Sequence, residues 1–150
     1  MTGDVDRLLA EEEGGWLDLT EVFGDVPPER FAEPSVTPEG WSPKDVMYHV
    51  AAWTEEAATV LGRIAAGTHR EGDVDTQAKN DEWFEVGRGL EDDVVRIRFA
   101  KGRTAMRQAF TKLDDVDADA WEWFDESGPR HYAEHAADLR TFLERGSDRP

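Results

Sequence analysis

No cysteine occurs among the 150 residues, which removes disulfides, thiolate metal ligands and a cysteine nucleophile together. Sulfur chemistry would need a thiol carried in by a co-substrate. Nor is there a stretch near the roughly 18 successive apolar residues of a membrane span. The start, Met1 to Asp6, has neither a basic nor an apolar segment of signal-peptide type, and the expectation is a cytoplasmic protein. Positive charge is scarce as well. With 17 basic residues against 34 acidic ones, the net charge of −17 repels phosphate backbones and anionic lipid surfaces. Neither nucleic acid nor membrane is therefore expected as a partner. No glycine-rich phosphate loop, nucleophile elbow or dinucleotide fingerprint is present. Segments alternating with period two and hairpin dipeptides are missing too, so little strand is expected.

What is present is helical periodicity. Residues 4–23 place Val5, Leu8, Leu9, Trp16, Leu19 and Phe23 near helical spacing, with Gly14 and Gly15 as a point where the helix is expected to break. Pro27 and Pro28 open a short turn or helix ending before Pro34, and residues 35–40 read as loop. Ser42 as N-cap, Pro43 at the first helical position and Asp45 in the first turn start a second helix. Its stripe of Val46, Val50, Trp53, Ala57, Val60, Leu61 and Ile64 runs to a stop at Gly67. A polar connection containing His69 leads to a shorter helical segment from about Thr76 to Val86. A third long helix, from about Glu91 to Leu113, aligns Val95, Phe99, Gly102, Met106, Phe110 and Leu113. Residues 114–119 read as an acidic linker, with no more than one turn of helix before Trp121, after which Gly128 and Pro129 launch a last helix that fades at Gly146. Four amphipathic helices in one 1–150 domain predict an all-α four-helix bundle with short additional helical segments, the stretch from Thr68 to Gly89 supplying a crossover.

Three core positions are given to imidazoles. On the last helix His131 and His135 head the stripe that continues through Leu139 and Phe142, and on the second His49 stands between Val46, Val50 and Trp53. If those two helices run roughly parallel, all three histidines meet at one end. Three neutral imidazoles with open coordination positions suit a catalytic metal, zinc, nickel, copper or iron, able to activate water or a thiol. Residues 131–135 also read H-x-x-E-H, the inverted zinc-peptidase motif. Those enzymes need a third ligand far downstream, whereas the chain given continues for only 15 residues beyond His135, so Glu134 is expected off the histidine face. His69 is expected to be a solvated loop residue and Asn80 a helix-surface one. Trp121, Trp123 and Phe124 are expected as pocket wall or plain core, and Tyr48 and Tyr132 as packing beside the ligand positions.

The run Gly40-Trp41-Ser42-Pro43-Lys44-Asp45-Val46-Met47-Tyr48-His49-Val50-Ala51-Ala52-Trp53, with the closing His131-x-x-x-His135 pair, resembles the DinB/YfiT-like four-helix bundle metalloproteins. The tryptophan after His49 and the His-Tyr-x-Glu-His ending look closest to the subgroup that includes the colibactin self-protection hydrolase. The resemblance implies a left-handed bundle, usually a homodimer, binding zinc or nickel through His49, His131 and His135. Its members include thiol-dependent transferases and isomerases, which use mycothiol, bacillithiol or glutathione, and small-molecule hydrolases. The mycothiol-dependent isomerase branch carries a glutamate among its ligands, whereas both matching positions here are histidine. The function expected is a metal-dependent enzyme acting on a small electrophilic substrate. The alternative is a non-catalytic protein that sequesters a small molecule or metal in the same pocket.

Overall fold

In a computed structural model, which describes residues 2–70, 72 and 74–147, the chain forms α1 (Thr2–Gly24), a 3-10 turn (Pro28–Arg30), α2 (Pro43–Ala66), α3 (Thr76–Arg88), α4 (Asp92–Thr111), α5 (Ala118–Ser127) and α6 (Pro129–Ser147). There is no strand among the described residues. None of the helices is long and apolar enough to cross a membrane.

Local chemistry accounts for the start of α2. Ser42 Oγ accepts from the Asp45 amide at 3.1 Å and Asp45 Oδ2 from the Ser42 amide at 2.9 Å, a reciprocal capping box that satisfies two otherwise orphaned donors. At the other end Gly67 adopts the left-handed conformation, φ 72°, which a side chain would oppose.

Cross-helix contacts give the direction of each helix. Lys44 lies 3.3 Å from Asp92 near the starts of α2 and α4, and Glu55 lies 2.8 Å from Arg98 further along both, so these helices run parallel. Arg107 bonds the Leu9 carbonyl at 3.1 Å while Trp16 stacks on Phe99 at 4.4 Å, so α1 opposes α4. Gly15 faces Pro129 and Tyr132, and Asp18 pairs with Arg140, so α1 and α6 run together. The bundle is up, down, down, up. The crossover that two parallel neighbours require is the segment containing α3.

Three expectations need correction. First, α1 continues through Gly14 and Gly15. The apolar face holding Leu8, Leu19, Val22 and Phe23 is buried on both sides of the glycines, and that packing outweighs a propensity penalty of about 1 kcal/mol each. Gly15 also serves a purpose, because a Cβ there would stand 3.4 Å from the Tyr132 ring where α1 and α6 approach closely. Second, the acidic linker holds over residues 114–117, but the single turn expected before Trp121 is a full helix, α5, capped by Asp117, which accepts from the Ala120 amide at 2.8 Å. Hydrogen bonds from the Gly128 amide to the Phe124 carbonyl and from the Tyr132 amide to the Gly128 carbonyl, each 2.9 Å, carry the ladder from α5 into α6. Pro129 removes a donor between them, so the two behave as one bent ascending helix. Third, α2 and α6 run in opposite directions. His131 can still reach His49 because it sits partway up the α5–α6 unit.

Inside the bundle, Glu12 is fully buried and fully paired. It accepts from Arg103 Nε at 2.9 Å and Nη2 at 2.7 Å, from Arg107 Nη1 at 2.7 Å and from the Tyr132 hydroxyl at 2.8 Å. Three helices are joined through one carboxylate. Burial, and then the Glu12 charge, push the Tyr132 phenol well above its ordinary value, so it remains a donor.

Removing one partner of such a cluster leaves charges facing apolar surface, so Glu12→Ala should destabilise the fold by about 3 kcal/mol in urea melts. Gly14, with open space around its Cα, should behave oppositely: Gly14→Ala should raise stability by up to about 1 kcal/mol, and a loss would mean that the α1 backbone is not helical there.

Candidate metal centre

The capping box fixes the first turns of α2, and the ring of Trp41, just ahead of it, packs on His49 with centroids 4.8 Å apart. On α6, Tyr132 is held in the Glu12 cluster beneath α1. That anchor sets the rotation of α6, so that His131 and His135, four residues apart on one face, turn toward α2. The three imidazoles converge. His131 Nε2 stands 3.0 Å from His49 Nε2 and 3.0 Å from His135 Nε2, and all three candidate ligand atoms lie within 4.8 Å of one another.

This contact is not explained by hydrogen bonding alone. An imidazole Nε2 carries either one proton or one lone pair, so His131 Nε2 cannot donate to one neighbour while accepting from the other. The outward nitrogens favour the lone-pair arrangement. His135 Nδ1 is 3.3 Å from Asp138 Oδ2, and the Ser127 backbone carbonyl acts on His131, although neither Nδ1 has an aligned hydrogen bond. With the proton on Nδ1, each Nε2 presents a lone pair to the others, and such a set repels unless a cation stands among them.

The protonation states agree. Burial, and then the charge of His135, push His49 down to about 3. His131 is held well below its ordinary value, first by burial and then by its two histidine neighbours. His135 is lowered by burial, while Glu134, Asp138 and Glu39 oppose the shift. At neutral pH all three are neutral imidazoles, the form that ligates a metal, and the set can hold one divalent ion with coordination positions to spare.

Two cavities meet this triad, and His49, His131 and Asn80 line both. The first, about 370 Å³, is walled by Trp53, His69, Trp123 and Ser127. The second, about 560 Å³, is bounded by Trp41 and Phe84 and by the carboxylates of Glu39, Asp81, Glu134 and Asp138. His69 does not join the triad but is half-buried, its ring edge-on to Trp123 at 6.2 Å, where a solvated loop position was expected. Asn80 is likewise no plain surface residue, since its Oδ1 accepts from Trp53 Nε1 at 2.8 Å, leaving its amide protons for a ligand. Trp123 forms wall, whereas Phe124 is core, stacked on Phe110 at 4.1 Å. Trp121 packs against that core, half-buried. Tyr48 is packing, buried beneath Gly87, where a Cβ would collide with its ring. Glu134 lies exposed at the rim of the second cavity. Glu39, Asp81 and Asp138 were not legible as site residues, because charged residues on helix faces and loops are ordinarily solvated surface.

The sequence model of the family described as "Mycothiol maleylpyruvate isomerase N-terminal domain" matches residues 13–142. Among solved structures, a histidine-to-alanine mutant of the mycothiol-dependent maleylpyruvate isomerase is similar in fold, with TM-score 0.75 and 19% identity over 89% of this chain. The chain spans 60% of the length of that enzyme. An uncharacterised protein from Escherichia coli UTI89 is similar with TM-score 0.78 and 13% identity, over 93% of this chain and 92% of its own. A search of curated proteins finds no match. None of these likenesses singles out the subgroup of the colibactin self-protection hydrolase.

Zinc or nickel should raise the melting temperature of the wild type, by an amount equivalent to about 2.7 kcal/mol at one hundred times the dissociation constant. His49→Ala, His131→Ala and His135→Ala should each abolish most of that gain and His69→Ala should not; equal shifts in wild type and His131→Ala would falsify a shared ion. Acid provides a separate check on the metal-free protein. Because the folded pKa of His49 lies far below the ordinary 6.5, the unfolded chain takes up a proton that the folded chain refuses. Stability should therefore fall as pH drops below about 6.5. In His49→Gln that slope should be shallower, and identical slopes would place His49 in solvent.

Proposed function

Because the chain belongs to the mycothiol maleylpyruvate isomerase N-terminal domain family, we propose that it is a divalent-metal-dependent enzyme that directs a low-molecular-weight thiol onto a small electrophilic substrate. The observation that carries this reading is the placement of three neutral, converging imidazoles where two cavities meet, in a chain with no cysteine of its own. A divalent ion, zinc or nickel, held by His49, His131 and His135 would supply Lewis acidity, lowering the pKa of a thiol or water presented to it.

The remaining work falls to this chain's side chains. Trp53 and Trp123 give the first cavity apolar walls that exclude water from a bound reactant. Asn80, its carbonyl oxygen held by the Trp53 indole, can donate its amide protons to an oxygen of a reactant in either cavity. Two cavities at one centre suit a reaction between two organic partners, the thiol in one and the electrophile in the other, held in register. Hydrolysis needs only one organic reactant and leaves the second cavity without a task. A sequestering protein needs no open position beside its ligands. The likeness to a mycothiol-dependent enzyme supports mycothiol as the first thiol to try. A homodimer is proposed by resemblance alone.

Calorimetry with mycothiol, bacillithiol and glutathione on zinc-loaded and metal-free protein tests the proposal. At least one thiol should bind the loaded form at least tenfold more tightly, and with a heat that depends on buffer ionisation, because its proton is released. Equal affinity for the two forms across all three thiols would leave hydrolysis or sequestration as the better account.

A further inference from the structure

The larger of the two cavities has a chemical character that the proposed thiol reaction does not require. Its wall holds the carboxylates of Glu39, Asp81, Glu134 and Asp138, with no lysine or arginine among the described lining residues. Among the described residues Glu39 and Glu134 form no salt bridge with a lysine or arginine, and Asp81 accepts from the Gln77 amide at 2.9 Å. Four carboxylates outnumber the two charges of a divalent ion, so the chamber stays negative even when the triad is loaded. Their fields reach the site, for Glu134, Asp138 and Glu39 all act on the His135 ring. His135 itself, 6% exposed, also lines this chamber, its buried Nδ1 standing 3.3 Å from Asp138 Oδ2 without an aligned hydrogen bond.

If these carboxylates only balanced an inorganic ion, no organic wall would be needed beside them. Yet Trp41 and Phe84, nearly parallel at 5.9 Å, give the same cavity an apolar aromatic side, and its volume of about 560 Å³ is room for a molecule of many atoms. Carboxylates beside aromatic rings are the combination that binds an alkylated or protonated amine, through Coulomb attraction and the ring quadrupole. The same chamber repels a dicarboxylate.

We infer that the carboxylate-lined cavity selects an organic cation, so that the electrophile acted on carries a protonated amine or a quaternary ammonium group and is not an anionic acid. This rests on the proposed reading of the triad as the reaction centre, but the charge preference belongs to the cavity and can be measured without metal.

Three probes of similar size separate the alternatives: choline, its uncharged isostere 3,3-dimethylbutan-1-ol, and the dianion maleate. Titrations followed by tryptophan fluorescence on metal-free and zinc-loaded protein should show choline binding at least tenfold more tightly than the isostere in both forms. Maleate should be excluded from the metal-free form. Raising ionic strength should shrink the preference. Glu39→Gln combined with Glu134→Gln should reduce it several-fold in the metal-free protein while leaving the helical spectrum unchanged. Should that double variant fail to fold, Glu39→Gln alone, in the loop before α2, should still lower it measurably. Equal binding of choline and the isostere, or an undiminished preference in the folded variant, would overturn the inference. Choline selectivity in a protein that binds no thiol would uphold the cation chamber and count only against the thiol reaction.

Discussion

A single buried carboxylate organises this bundle. Glu12 lies in the interior of α1 with no exposure, and a charge there is tolerable only because two arginines of α4 and the hydroxyl of Tyr132 supply four hydrogen bonds. The consequence reaches the site. Tyr132 follows His131 directly, so holding its hydroxyl beneath α1 sets the rotation of α6, and the two histidines then face α2. Gly15 allows the approach, since it keeps the α1 surface low where the Tyr132 ring crosses it. A polar contact on one side of a helix thus decides where imidazoles on its other side converge.

That convergence creates a local conflict which gives the centre its chemistry. His131 Nε2 stands at hydrogen-bond distance from two other imidazole nitrogens and cannot donate to one while accepting from the other, and burial keeps protons from settling the matter. The arrangement is what a divalent cation would relieve. Around it the bent α5–α6 unit and the short α3 hold two aromatic-walled cavities open, one lined by four acidic residues and the other by tryptophans beside polar groups. The strong negative charge of the chain is therefore more than a solubilising coat, because some of it lines a cavity beside the three histidines.

What the sequence by itself determined was everything carried by short-range pattern. The period of the apolar residues placed the four long helices, the Ser42–Pro43–Asp45 signal marked the start of α2 to the residue, and Gly67 marked its end. Histidines on apolar stripes stood out because imidazole is an unusual use of core positions, and that anomaly named His49, His131 and His135 before any fold was known. The absence of cysteine was equally informative. Such features depend on neighbours a few residues away and on composition, and both are visible in a linear chain.

Only the tertiary structure decided the rest. Whether Gly14 and Gly15 break α1 depends on burial to either side of them, which propensity does not include. The sense of α2 relative to α6 depends on the crossover through α3 and on α5 forming a full helix beyond the linker, where no more than one turn was expected. Asn80, Glu39, Asp81 and Asp138 carry no local mark distinguishing them from solvated polar residues. They acquire roles only because residues from a loop and from α2, α3 and α6 are brought to one cavity, and that proximity is set by the packing of distant segments and not by any pattern within them.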